Sequence, residues 1–195
     1  EQNPRDFDVL MALLDTQLAL GKRNDAIDTI NRRLRYSVDF SVPQLTQLAA
    51  VQIRVEDLQG AKSTLTRCLI QEPEFMPAKT ELIKLETRLR NYPHALKLTE
   101  EIITSNPDSP LGYGLKGDVL IFAGRQDEAL ELFQSTLEKW PSTGLHLKIL
   151  KQKLQQNPSI ENLQPLEQWV AQKADDVEAL FGLAVAYIDV NAYAK

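Results

Sequence analysis

The sequence predicts an all-α chain of stacked antiparallel helix pairs, and three observations predict it. Alanines fall at Ala61, Ala95 and Ala129, each 34 residues after the last. Prolines at Pro73, Pro107 and Pro141 keep the same step, 12 residues behind the alanines. Between these marks the apolar residues recur at spacings of three and four, the signature of one buried helix face. Two residue types sharing one period point to a repeat in which each unit buries its apolar side against the next.

Taken in order, the period divides residues 1–195 into one array. Its repeats cover about 7–40, 42–75, 76–109, 110–143 and 144–176, and the first helix of a sixth spans 177–190. Ala26 precedes Ala61 by 35, one residue out of step. Pro43, Pro77, Pro93 and Pro110 suit helix starts, where no backbone N–H bond is lost; Pro73, Pro107 and Pro141 suit helix ends. In the fourth repeat Leu120 and Phe122 close one amphipathic stretch, Gly124-Arg125-Gln126-Asp127 breaks it, and Ala129, Leu130, Leu132, Phe133 and Leu137 form the second. Strand-like alternation between hairpin turns is absent.

The fifth repeat departs from the pattern. Leu163 replaces the crossing alanine and is expected to push the two helices apart, and Pro165 falls early in the second helix. With Asn162 as N-cap, that proline costs little. Val177 to Asp189 reads as a helix, and Asn191-Ala192-Tyr193-Ala194-Lys195 as the start of its turn. Pro4 lies 34 residues before Val38 and is read as the terminal proline of a preceding repeat. With no initiator Met, the chain is expected to be an excerpt of a longer array, its last helix exposing Leu180, Leu183 and Tyr187 and prone to self-association.

The period and its residues resemble the tetratricopeptide repeat (TPR) family. In the fourth repeat Tyr113, Gly117, Leu120, Gly124, Ala129, Phe133 and Pro141 resemble the family's signature positions. The second is similar through Leu45, Leu48, Ala49, Ala61, Leu65 and Pro73. The first is similar through Leu10, Leu13, Gly21, Ala26 and Ile30, with Val38 where proline is expected; the third keeps Leu82, Ala95 and Pro107 without the glycines. The resemblance implies an α-α superhelix, a TPR solenoid of helix pairs stacked right-handed.

Three strings also resemble the TPR lipoproteins of bacterial exosortase (PEP-CTERM) systems: residues 4–13, 47–54 and 112–120. That likeness implies an envelope protein, periplasmic or anchored at the outer membrane through a cysteine not present here, working beside exopolysaccharide production and protein sorting.

Composition excludes other classes. The net charge is −5 with dispersed basic residues, which argues against nucleic acid as a partner. The clusters Arg32, Arg33, Arg35 and Lys148, Lys151, Lys153 read as solvated helix faces. No stretch approaches the roughly 20 apolar residues that span a bilayer, so no membrane insertion by this segment is expected. The single cysteine, Cys68, cannot form an internal disulfide.

No constellation carries catalysis. Gly112-x-Gly114-x-x-Gly117 spells a dinucleotide fingerprint, but no strand precedes it, and Gly117 falls on a small-residue position of a first helix. Gly112 and Gly114 leave room for a partner to approach the backbone. His94 and His146 lie 52 residues apart and read as exposed; Cys68 reads as a buried small hydrophobe. Glu100-Glu101 and Asp175-Asp176 read as ordinary surface carboxylates, and Trp140 and Trp169 as packing. No enzyme activity, cofactor or metal is expected.

In TPR solenoids, the resemblance implies, first helices line a concave groove. Residues spaced by four and then three project from them: Met11, Asp15 and Leu18; Thr46, Ala50 and Ile53; Thr80, Lys84 and Thr87; Gly114, Asp118 and Ile121; Lys148, Gln152 and Gln155; and Phe181, Val185 and Ile188. About half are expected to face open groove. Chaperone-binding members that clamp a terminal carboxylate use an asparagine where Asp15, Ala50 and Asp118 stand, so that variant is not expected. The expected partner is a protein: an extended peptide or a helix. The alternatives are an architectural spacer or self-association segment, and a part of an enzyme whose catalytic domain lies elsewhere.

Overall fold

The computed structural model describes residues 4–36 and 40–193. Among these residues there are eleven α-helices, one 3-10 turn and no strand. By mutual packing the chain divides into two compact units, residues 1–89 and 90–195.

The first unit holds α1 (Pro4–Ala19), α2 (Arg23–Tyr36), α3 (Val42–Arg54), α4 (Leu58–Gln71) and α5 (Met76–Arg88). Neighbours in sequence pack on one another, α1 on α2, α3 on α4 and α4 on α5. The crossing residues Ala26 and Ala61 are fully buried, as are Leu14, Ile30, Leu45, Leu48 and Leu65. Their small side chains let two helix backbones approach, and the aliphatic ones fill the space to either side. Helix starts are fixed locally. The Ser41 N–H donates to Gln44 Oε1 at 3.0 Å, and Asp57 Oδ1 accepts from the Gly60 N–H at 3.0 Å.

The second unit holds α6 (Tyr92–Ser105), α7 (Pro110–Phe122), α8 (Gln126–Lys139), α9 (Thr143–Gln156), a 3-10 turn (Ile160–Leu163), α10 (Gln164–Gln172) and α11 (Val177–Tyr193). Leu120, Ala129, Phe133, Leu145 and Ile149 form one core cluster. Leu150, Leu163, Leu166, Trp169, Ala179, Ala186 and Val190 form the next.

The prolines fall as expected. Pro43, Pro77, Pro93 and Pro110 lie in first turns, and Pro73, Pro107 and Pro141 just past α4, α6 and α8. The helix-pair turns share a left-handed residue at Gly21 (φ 70), Glu56 (φ 66), Arg90 (φ 59) and Gly124 (φ 79). The step between them is again 34 or 35. In two of these turns a side chain thus occupies a conformation that glycine adopts without cost.

Several expectations need correction. Pro4 is the first residue of α1, so it opens a helix. Leu13 is exposed; the buried stripe of α1 is Phe7, Leu10 and Leu14. The second helix of the fifth repeat does not begin at an Asn162 cap. Residues 160–163 form the 3-10 turn capped by Ser159, and α10 follows with Pro165 in its first turn. The bulk of Leu163, fully buried, sits in this tighter turn, where the 14-residue α8 has regular helix at Ala129. At the far end, α11 runs on to Tyr193, past the expected turn at Asn191. Val38, Ala194 and Lys195 lie outside the described residues.

Candidate partner-binding grooves

Within each unit the first helices of successive repeats leave elongated grooves. One, of about 500 Å³, runs between α3 and α5 and is lined by Thr46, Ala50, Met76, Pro77 and Thr80. A second, of about 340 Å³, lies between α7 and α9, beside Leu111, Gly114, Asp118, Gly144 and Lys148. The third, of about 530 Å³, lies between α9 and α11.

The sequence-predicted positions distribute unevenly over these faces. On α1, Met11 and Leu18 are half-buried and Asp15 is exposed. On α3, Thr46 and Ile53 are half-buried and Ala50 is exposed; on α5, Thr80 is half-buried, Lys84 exposed and Thr87 buried. Thr46 Oγ1 and Thr87 Oγ1 donate back to the carbonyls of Val42 and Ile83, at 2.8 and 2.7 Å. These hydroxyls are thereby satisfied within their own helices. On α7, Gly114, Asp118 and Ile121 are half-buried.

On α9 the numbering slips. The N-caps Ser41, Phe75 and Ser109 are 34 apart, but Ser142 follows Ser109 by 33, and the α11 cap Asp176 follows by 34. The α9 residues in register with Gly114, Asp118 and Ile121 are therefore Leu147, Lys151 and Leu154. Of the positions predicted by a uniform 34-residue step, Gln152 is buried, Lys148 is half-buried and ion-paired with Asp118, and Gln155 is exposed at the edge of the third groove. The signal was available: Ser109 and Ser142 are both good N-caps.

The charges along these faces are largely closed internally. Asp15 pairs with Arg54 at 3.4 Å, Glu56 with Arg88 at 2.6 Å, Lys84 with Glu81 at 2.8 Å, and Asp118 with Lys148. Asp118–Lys148 and Asp15–Arg54 each tie one first helix to the next, a role that sequence reading missed for all four residues.

The glycine trio serves packing more than approach. A Cβ on Gly112 would lie 2.7 Å from Ile103 Cγ1 and 3.1 Å from Ile103 N, so this residue is pressed onto α6 and offers nothing to a partner. Gly117 is covered by Phe133. Only Gly114 faces open space.

The other singled-out residues are structural. Cys68 is buried 3.7 Å from Thr46 Oγ1, and burial pushes its thiol pKa up, although that hydrogen bond opposes the shift. His146 is half-buried: its ring stacks on Trp169 at 4.6 Å, and Nδ1 lies 2.9 Å from the Ser142 carbonyl. His94 is half-buried as well, so neither histidine is the exposed residue expected. Tyr113 packs on Trp140 at 5.4 Å. Asp176 is no ordinary surface carboxylate. It caps α11 through the Ala179 N–H at 3.0 Å and accepts from Thr143 Oγ1 and, at 3.4 Å, Trp169 Nε1. The Thr143 hydrogen bond is the main cause holding its pKa below the usual carboxylate value, with the Ala179 N–H next. Among the described residues no three His, Cys, Asp or Glu side chains converge as metal ligands, and no helix is long and apolar enough to cross a membrane.

No family model matches the chain, and no curated protein matches it in sequence. Solved structures do match in fold. A thermophilic TPR protein of Thermus thermophilus superposes with a TM-score of 0.62 at 16% identity, over 93% of this chain and 99% of that one. A tetratricopeptide repeat protein of Parabacteroides merdae gives 0.61 at 18%, over 96% and 74%. MamA of Desulfovibrio magneticus gives 0.59 at 14%, over 88% and 97%. At these identities the likeness is one of fold: the chain carries the TPR architecture of paired, stacked helices.

Proposed function

We propose that this chain is a non-catalytic scaffold that holds a peptide or a partner helix along the faces of its first helices. The observation that supports this reading is the pair of features found together between α3 and α5 and again between α7 and α9. Each groove is open and lined by small and apolar side chains, while most nearby charges already have partners in the protein. Such a surface has shape and apolar area to offer, and no group poised to react.

The test is substitution on the groove faces. Ala50→Glu, on an exposed residue of the α3–α5 groove, and Gly114→Glu, on a residue of the α7–α9 groove with open space above it, fall one in each unit. Ile53 and Ile121 line neither groove, and Ile121 packs against the core. The two substitutions to glutamate are expected to abolish partner binding while far-UV circular dichroism stays unchanged. Unchanged affinity in both variants overturns the reading.

A finer reading follows from the three strings that resemble exosortase-associated lipoproteins: we propose that the scaffold works in bacterial envelope machinery. Fractionation of the source cells checks it, and recovery in the cytosol alone rejects it. The alternative role, a spacer or self-association segment, draws support from the exposed apolar residues of α11, with Phe181 71% and Ile188 68% exposed. Concentration-dependent mass without any bound partner favours that alternative.

A further inference from the structure

We draw no further inference here: the strongest candidate, the apolar groove between α9 and α11, carries an exposed acid, Asp189, as well as the exposed base Lys151, so charge selects no occupant and nothing in the structure shows what covers it.

Discussion

Gly117 on α7 lies directly beneath the ring of Phe133 on α8. A Cβ built on it would fall inside the van der Waals envelope of Cε1 and Cζ and 2.9 Å from Cδ1. Phe133 is fully buried and cannot swing clear. Gly117→Ala is therefore expected to destabilise the second unit by about 1–3 kcal/mol, the usual cost of overpacking, despite alanine's better helix propensity. Combining it with Phe133→Leu should recover part of the loss, and a double-mutant cycle by urea denaturation measures the coupling. Gly114→Ala is the control, because no atom lies within 4 Å of the added methyl. It should stabilise α7 by about 0.8–1 kcal/mol.

The left-handed turn residues give a second prediction. Arg90 holds φ 59 where the equivalent residues of two other turns are Gly21 and Gly124. A side chain in this conformation costs about 1–2 kcal/mol, and glycine returns roughly half of that through its freer unfolded chain. Arg90→Gly is expected to raise stability by about 0.5–1 kcal/mol, read from the denaturation midpoint. Glu56 shares the conformation, but its carboxylate pairs with Arg88 at 2.6 Å, so Glu56→Gly should gain less. A lower midpoint for Arg90→Gly would show that its side chain matters more than its backbone.

These cases explain what could be read from residues alone. The crossing alanines and terminal prolines are legible because each answers to a strict local demand, close backbone approach or a free N–H. The left-handed turns at Glu56 and Arg90 are not, because neither residue type advertises positive φ. The groove on α9 is hidden for another reason. Leu163 keeps the 34-residue step from Ala129 while Ser142 breaks it, so the slip is absorbed between helix and 3-10 turn and leaves the gross period intact. The caps at Ser109 and Ser142, along with the apolar pair Leu147 and Leu154, carry the information that the alanine register conceals. Side-chain roles such as the α11 cap at Asp176, adjacent to the plainly exposed Asp175, depend on which neighbours fold back, and only the tertiary arrangement shows them.

Asp176 supports a pH prediction. Hydrogen bonds from Thr143 first, and then the Ala179 N–H, stabilise its charged form and lower its pKa in the folded chain. A depressed carboxylate pKa contributes stability that is present above the unfolded value, near 3.9, and is lost as pH falls through the folded one. Asp176→Asn should therefore lower Tm at neutral pH, and the difference from the parent chain should shrink steadily below about pH 4. Thermal melts between pH 2.5 and 7 follow it. A constant difference across that range would mean that the cap acts without its charge.

The buried carboxylate of Glu86 gives the last prediction. Gln17, Gln52, Glu86 and Leu120 occupy one position in four successive repeats, at steps of 35, 34 and 34. Gln52 is satisfied by Thr64, whose Oγ1 donates to Gln52 Oε1 at 2.7 Å. Glu86 is fully buried and meets Lys62 at 2.8 Å, whose own side chain is 37% exposed. The two partners are thus unequal: Lys62 regains water if the pair is broken, but Glu86 does not. Lys62→Met is expected to cost about 1–3 kcal/mol, below the 3–5 kcal/mol of a wholly buried pair, because only one end is sealed. Glu86→Leu, which copies Leu120, should be close to neutral since it removes the charge that needs a partner. Urea denaturation of the two variants separates the cases. Equal losses would show that the ion pair contributes net stability, whereas a loss confined to Lys62→Met would show that Lys62 chiefly offsets the cost of burying Glu86.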